Sequence, residues 1–229
     1  MSRLCEFAES SIGRKVMVAI AGLLLCGFLV THLAGNLLLL AGEGTFNHYA
    51  YALEENPLLP LAEVILFGLF VAHVALALFL KLRNRQARPV PYEMKRSKGG
   101  SSWGSATMGL SGVLVLAFLV VHIRTFKFGD KPDGLFQLVV KAFSNPLYSG
   151  FYVLAMGGLA LHLSHGFQSG FQTLGLHHPK LNPLLRKAGL AFALAVAGGF
   201  AFLPLWAFKT GGRPLVQASA HAPAPGALP

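Results

Sequence analysis

The chain has 229 residues, 54% of them hydrophobic and only 12% charged, and its formal net charge is +10. Soluble domains average about 25% charged residues, so this composition excludes an ordinary soluble domain. With a mean hydropathy of +0.57 it indicates an integral membrane protein, and the length suits one bundle. The positive charge does not indicate nucleic acid, because most of it clusters in segments that flank the apolar stretches.

Residues 1–15 read as a short cytoplasmic lead carrying Arg3, Arg14 and Lys15. Residues 16–41 are the first of five stretches long enough to span, a task that takes about 20 mostly apolar residues. A basic pair before this stretch resembles a secretory signal, but the apolar run far exceeds the roughly 7–15 residues of a signal core. It reads as a retained helix. Residues 58–80, 105–126, 147–168 and 188–208 are the other four. None alternates polar with apolar residues, which argues against an outer-membrane barrel.

The connections differ in charge. Residues 42–57 hold Glu43, Glu54 and Glu55. The segment 81–104 carries Lys81, Arg83, Arg85, Arg88, Lys95, Arg96 and Lys98, and the segment after the fourth stretch carries Lys180, Arg186 and Lys187. Lysine and arginine favour the cytoplasmic side, so the expected topology has the N-terminus in the cytoplasm and the C-terminus outside. Residues 134–143 predict a short interfacial helix outside. Residues 209–229, rich in Ala and Pro, predict a disordered tail. Trp103, Tyr148, Tyr152 and Trp206 fall near predicted helix ends, where aromatic belts form. The spans are dense in glycine, which suits close helix packing or room for a flat ligand. Cys5 and Cys26 form no C-x-x-C-H, zinc or disulfide pattern.

Four of the five spans each carry one deep histidine: His32, His73, His122 and His162. An imidazole in hydrocarbon is costly without a partner, so each is a functional candidate. At the helical rise, His32 and His122 lie about 24–25 Å along spans that run outward. His73 and His162 lie about 22 Å along spans that run inward. Depth alone therefore pairs His32 with His122 at an outer level and His73 with His162 at an inner one. The levels should stand roughly 10–15 Å apart in a core of about 30 Å. Two such pairs suit metal ligation, and haem iron takes histidine as an axial ligand. His165, three residues after His162, is an alternative ligand, or a contact to a haem propionate, a quinone or a neighbouring helix. Arg124 reads as an interface anchor or as the partner of an outer propionate. His177, His178 and His221 read as solvated.

The same residues carry a family resemblance. The chain resembles the cytochrome b membrane subunit of succinate dehydrogenase and fumarate reductase, the five-helix, dihaem b558 type. The matching stretches are Ser11-Ile-Gly-Arg-Lys15, Thr31-His-Leu-Ala-Gly-Asn36, Phe46-Asn-His-Tyr-Ala50, His73, His122 and His162-Leu-Ser-His-Gly-Phe-Gln-Ser169. They cover about residues 10–208 in order, with no histidine on the fifth span.

The resemblance implies an all-α membrane protein of five transmembrane helices, with a dihaem domain at 16–208. Four of the helices would form the haem-binding bundle. It implies two haem b groups, with His32, His73, His122 and His162 as iron ligands. Gly166, four residues after His162, matches the family pattern and favours His162 over His165. The implied partners are an FAD flavoprotein and an iron–sulfur subunit on the cytoplasmic side, membrane lipid, and a quinone, menaquinone or ubiquinone. A higher oligomer of the complex is compatible with it. The implied activity is electron transfer between the iron–sulfur subunit and quinone in a bacterial cytoplasmic membrane, in either direction between succinate and fumarate. The dicarboxylate chemistry would belong to another subunit. Quinone chemistry also needs protons near the membrane edge, and Glu63 and His48 are the candidate groups. Two rivals stand beside this reading: the cytochrome b subunit of a hydrogenase or formate dehydrogenase, and a transporter with histidine proton relays.

Overall fold

The computed structural model describes residues 3–87 and 103–215. The expected basic loop residues Arg88, Lys95, Arg96 and Lys98, and the tail from residue 216 with His221, lie outside the described residues. The described elements are all helical: α1 (Arg3–Glu9), α2 (Ser11–Leu37), a 3₁₀ turn (Leu38–Ala41), α3 (Glu43–Glu54), α4 (Leu59–Gln86), α5 (Trp103–Phe126), α6 (Gly134–Phe143), α7 (Pro146–Thr173) and α8 (Asn182–Thr210). Five of them, α2, α4, α5, α7 and α8, are long and apolar enough to cross a membrane. They match the five expected stretches, the first continuing from α2 through the 3₁₀ turn to Ala41 and the second starting at Leu59. On their outward faces large apolar side chains meet the surroundings; Leu110 is 74% exposed and Leu147 84%.

The helices run past the apolar stretches because they end at caps. Hydropathy marks only the hydrocarbon part. Ser10 Oγ accepts from Gly13 N at 2.9 Å, so α2 starts inside the expected lead. Asn145 Oδ1 accepts from Leu147 N at 2.9 Å and starts α7, with Pro146 behind it. Gly211, at φ 62°, closes α8.

Residues 42–57, expected only as a connection, contain α3. Its buried stripe is two residues one turn apart, Phe46 and Ala50, too short to register as amphipathic. The short helix expected at 134–143 is α6. The two helices pack on each other at the end of the bundle toward which α2, α5 and α8 run, here the far end. Phe136 N donates to Asn47 Oδ1 at 2.9 Å, and Gln137 Nε2 to Glu43 at 2.8 Å. Lys131 pairs with Glu54 at 2.8 Å, and Lys127 with Glu63. Two ion pairs thus tie the segment after α5 to α3 and to the start of α4. Leu215 N donates to Leu40 O of the 3₁₀ turn at 2.9 Å and Gly212 lies against Val140 of α6, so the described start of the expected tail, 209–215, lies against this end.

Between the ends, α7 is the central helix, packed on α8, α5 and α2, while α4 lies along α2. The close approaches use small residues. Ala155, Ala193 and Ala197 are buried where α7 meets α8. Leu114 sits over Gly158, Leu23 over Gly170 and Leu33 over Gly199, each a side chain filling the space a missing Cβ leaves. Phe46, Phe136, Phe143, Leu203 and Trp206 form a second core under the lid.

Gly134 is the tightest point of that lid. Its φ is 88°, and a Cβ there would lie 2.5 Å from Asn47 Nδ2. Gly134→Ala should lose stability by at least about 1–3 kcal/mol from backbone strain, whereas Gly44→Ala, which meets nothing within 4 Å, should be tolerated. Thermal unfolding in detergent micelles checks both; equal midpoints would contradict the lid's geometry.

Candidate functional site

The deep histidines meet in two pairs. The rings of His32 on α2 and His122 on α5 have centroids 5.8 Å apart, with planes at 89°. Those of His73 on α4 and His162 on α7 are 6.3 Å apart, at 74°. Tyr152 touches His122 from α7, and His162 lies further along the same helix. The two levels therefore stand about 15 Å apart at the helical rise, the upper end of the expected range. All four rings are part-buried. Neither α2 with α5 nor α4 with α7 is among the closely packed helix pairs. The histidines of each pair reach toward each other from helices that are not packed directly on one another.

Each ring holds its Nδ1 against a polar atom. His73 Nδ1 lies 3.3 Å from Val18 O. A carbonyl only accepts, so Nδ1 carries the hydrogen and Nε2 keeps its lone pair. His162 Nδ1 lies 3.5 Å from Ser111 Oγ, whose own hydrogen goes to Met108 O at 3.1 Å. Ser111 therefore accepts, and His162 has the same tautomer. His122 Nδ1 lies 3.3 Å from Tyr152 Oη. His32 differs: its Nδ1 lies 3.4 Å from Asn36 Nδ2, a donor already engaged on His32 O at 2.8 Å.

The surroundings are apolar and shaped to the rings. Phe28 stacks on His32 at 5.1 Å, and Phe200 of α8 lies 5.6 Å away. Phe118 and Phe126 flank His122 at 5.5 and 5.4 Å. Gly22 faces the ring of His73; a Cβ there would lie 3.0 Å from Cε1. Gly112 faces His162 with more room, at 3.6 Å. Two of the many span glycines thus admit an imidazole ring.

Other expected residues fall elsewhere. His165 is part-buried and makes no ring contact with His73, so His162 is the member that faces across. Arg124 is exposed and donates to Phe128 O at 3.3 Å. It follows His122 by two residues and leaves α5 from another side, so the structure does not bring it to the pair. Glu63 is engaged by Lys127. His48 is exposed on α3, and no hydrogen bond or ion pair joins it to Glu63. Exposed His178 accepts from Lys180 N at 3.2 Å.

Two aromatics expected in boundary belts are instead interior. Tyr152 is 5% exposed and Trp206 4%, because the α3–α6 lid covers this end. The Trp206 Nε1 is buried and finds no acceptor among the described residues. A cleft of about 220 Å³ opens between α3 and α6, lined by Asn47, Tyr51, Glu54 and Lys131 among others. None of the expected site residues lines it.

Chemically, each pair offers two neutral nitrogen ligands. Among the described residues no three His, Cys, Asp or Glu side chains gather. A metal at either pair would have to bring its remaining ligands. Two imidazoles bonded to one metal through about 2 Å bonds hold their ring centroids roughly 6 Å apart, which both pairs meet. No family model, curated protein or solved structure matches the chain.

The glycine contacts are testable without any cofactor. Gly22→Ala should displace the His73 ring from Val18 O and shift its ¹⁵N signals. Gly112→Ala should leave those of His162 in place. Histidine-labelled spectra of the detergent-solubilised protein check this, and an unmoved His73 would contradict the contact.

Proposed function

We propose that this chain is the dihaem cytochrome b membrane subunit of a succinate:quinone oxidoreductase. The observation that carries the reading is the pair of facing imidazoles at each of two levels, set where the helices stand apart. Rings at these distances also fit plain edge-to-face packing. Three features favour ligation. The paired helices are not closely packed. Three of the four rings keep Nε2 free by hydrogen bonds at Nδ1, the usual second contact of a ligating histidine. Gly22 and Gly112 make room for the near-level rings.

On this reading His73 and His162 hold one haem b and His32 and His122 the other. Haem b supplies a one-electron couple at each level, the chemistry needed to link an iron–sulfur partner to membrane quinone. The apolar walls of Phe28, Phe118, Phe126 and Phe200 exclude water from the far-level pair. His32 can ligate through Nε2 only if the Asn36 amide turns its oxygen toward Nδ1. The unsatisfied Trp206 N–H supplies a buried donor under the lid for a carboxylate such as a haem propionate.

The charge pattern supports a cytoplasmic near end. Arg14, Lys15, Lys81, Arg83, Arg85, Lys180, Arg186 and Lys187 all lie there, and cytoplasmic flanks are enriched in such residues. The FAD flavoprotein and iron–sulfur subunits would dock on that face in a bacterial cytoplasmic membrane. At the far end, Glu63 and His48 remain the candidate groups for proton exchange with a quinone.

A pyridine haemochrome assay on the purified protein tests the proposal. Two b-type haems per chain are expected, and a folded protein from haem-replete cells without a Soret band would overturn it. His73→Ala should lose the near-level haem and keep the other; His32→Ala should do the reverse. Retention of both haems after either change would refute the ligand assignment.

A further inference from the structure

We propose that Tyr152 is the positioning residue of the far-level pair: it holds the ring hydrogen of His122 on Nδ1 and so presents the Nε2 lone pair to a metal shared with His32. The inference rests on the axial-ligand reading above and adds a residue to it.

A directed chain of hydroxyls carries it. Tyr148 Oη donates to Thr125 Oγ1 at 2.9 Å. A phenol has one hydrogen, so at 3.1 Å from Tyr152 Oη the Tyr148 oxygen accepts. The hydrogen of Tyr152 is thereby spent on Tyr148. Its oxygen then accepts from His122, 3.3 Å away, and that hydrogen sits on Nδ1. The order is His122 to Tyr152 to Tyr148 to Thr125, each donating to the next, across α5 and α7.

Packing fixes Tyr152 in this place. Its ring lies 4.9 Å from those of both Phe118 and Phe143, edge-on to each. A buried phenol in that setting needs a polar partner at its tip, and the chain supplies two. The other histidines are held differently: His73 by a backbone carbonyl, His162 by a serine and His32 beside an amide nitrogen. Only His122 depends on a relay of side chains. An acceptor on Nδ1–H makes the imidazole a stronger donor to iron and favours the ferric state.

The test uses the full-length protein. Tyr152→Phe removes one oxygen and keeps the ring that packs on Phe118 and Phe143. In haem-loaded protein, a redox titration should show the far-level haem shifted to higher potential and the near-level haem unmoved. Tyr148→Phe should give a smaller shift in the same direction, and it decides the matter if Tyr152→Phe does not fold. In haem-free full-length protein, histidine ¹⁵N spectra should show His122 as the Nδ1–H form, a signature that Tyr152→Phe removes. Unchanged potentials together with a retained Nδ1–H signal would overturn the proposal. A wild-type chain that shows the tautomer signature but takes up no haem would support the role of Tyr152 and sink the haem reading instead.

Discussion

An imidazole in an apolar bundle has two nitrogens to satisfy, and this fold satisfies one of them. The Nδ1 of each deep histidine meets a polar atom of its own or a neighbouring helix. Among the described residues no hydrogen bond reaches any of their Nε2 atoms. Leaving four such atoms unpaired in hydrocarbon would cost several kcal/mol each at the upper end of the range for buried polar groups. The rest of the bundle is arranged around that requirement. Small residues on α7 and α8, and leucines seated over Gly158, Gly170 and Gly199, close the contacts that need no gap. The diagonal pairs α2–α5 and α4–α7 are not closely packed.

The two ends of the molecule solve different problems. At the far end, α3 and α6 form a lid, and two ion pairs tie the segments around it: Glu54 with Lys131, Glu63 with Lys127. That lid turns Tyr152 and Trp206 into interior residues. At the near end, no ion pair joins the cations among the described residues. Arg14 stacks over Phe79 at 4.4 Å and Arg83 at 5.7 Å, and Lys81 lies over Gly109. This asymmetry suits a near end that faces anionic lipid and partner subunits on the proposed reading.

Much of this was legible in the sequence. Hydropathy located the five spans, because about 20 apolar residues in a row have few other uses. Run direction combined with the helical rise paired the histidines, because depth is one-dimensional and needs no knowledge of which helices touch. The partners of those histidines were not legible. Val18, Ser111 and Tyr152 come from other helices than the rings they hold, so only packing brings them together. Tyr152 read as a boundary residue from its distance to a helix end, and the lid made that distance misleading. α3 was missed because two buried residues on an otherwise polar segment leave little periodic signal. Arg124 is close to His122 in sequence, but its position two residues on takes it to another side of α5.

On the proposed function, paired imidazoles, one from each of two helices, share a low-spin iron at each level. Low-temperature electron paramagnetic resonance of the oxidised, purified protein reads that coordination directly. The account predicts two distinct low-spin ferric signals of equal weight, as two imidazole ligands per iron require. A high-spin signal, or a single low-spin species at one iron per chain, would contradict it.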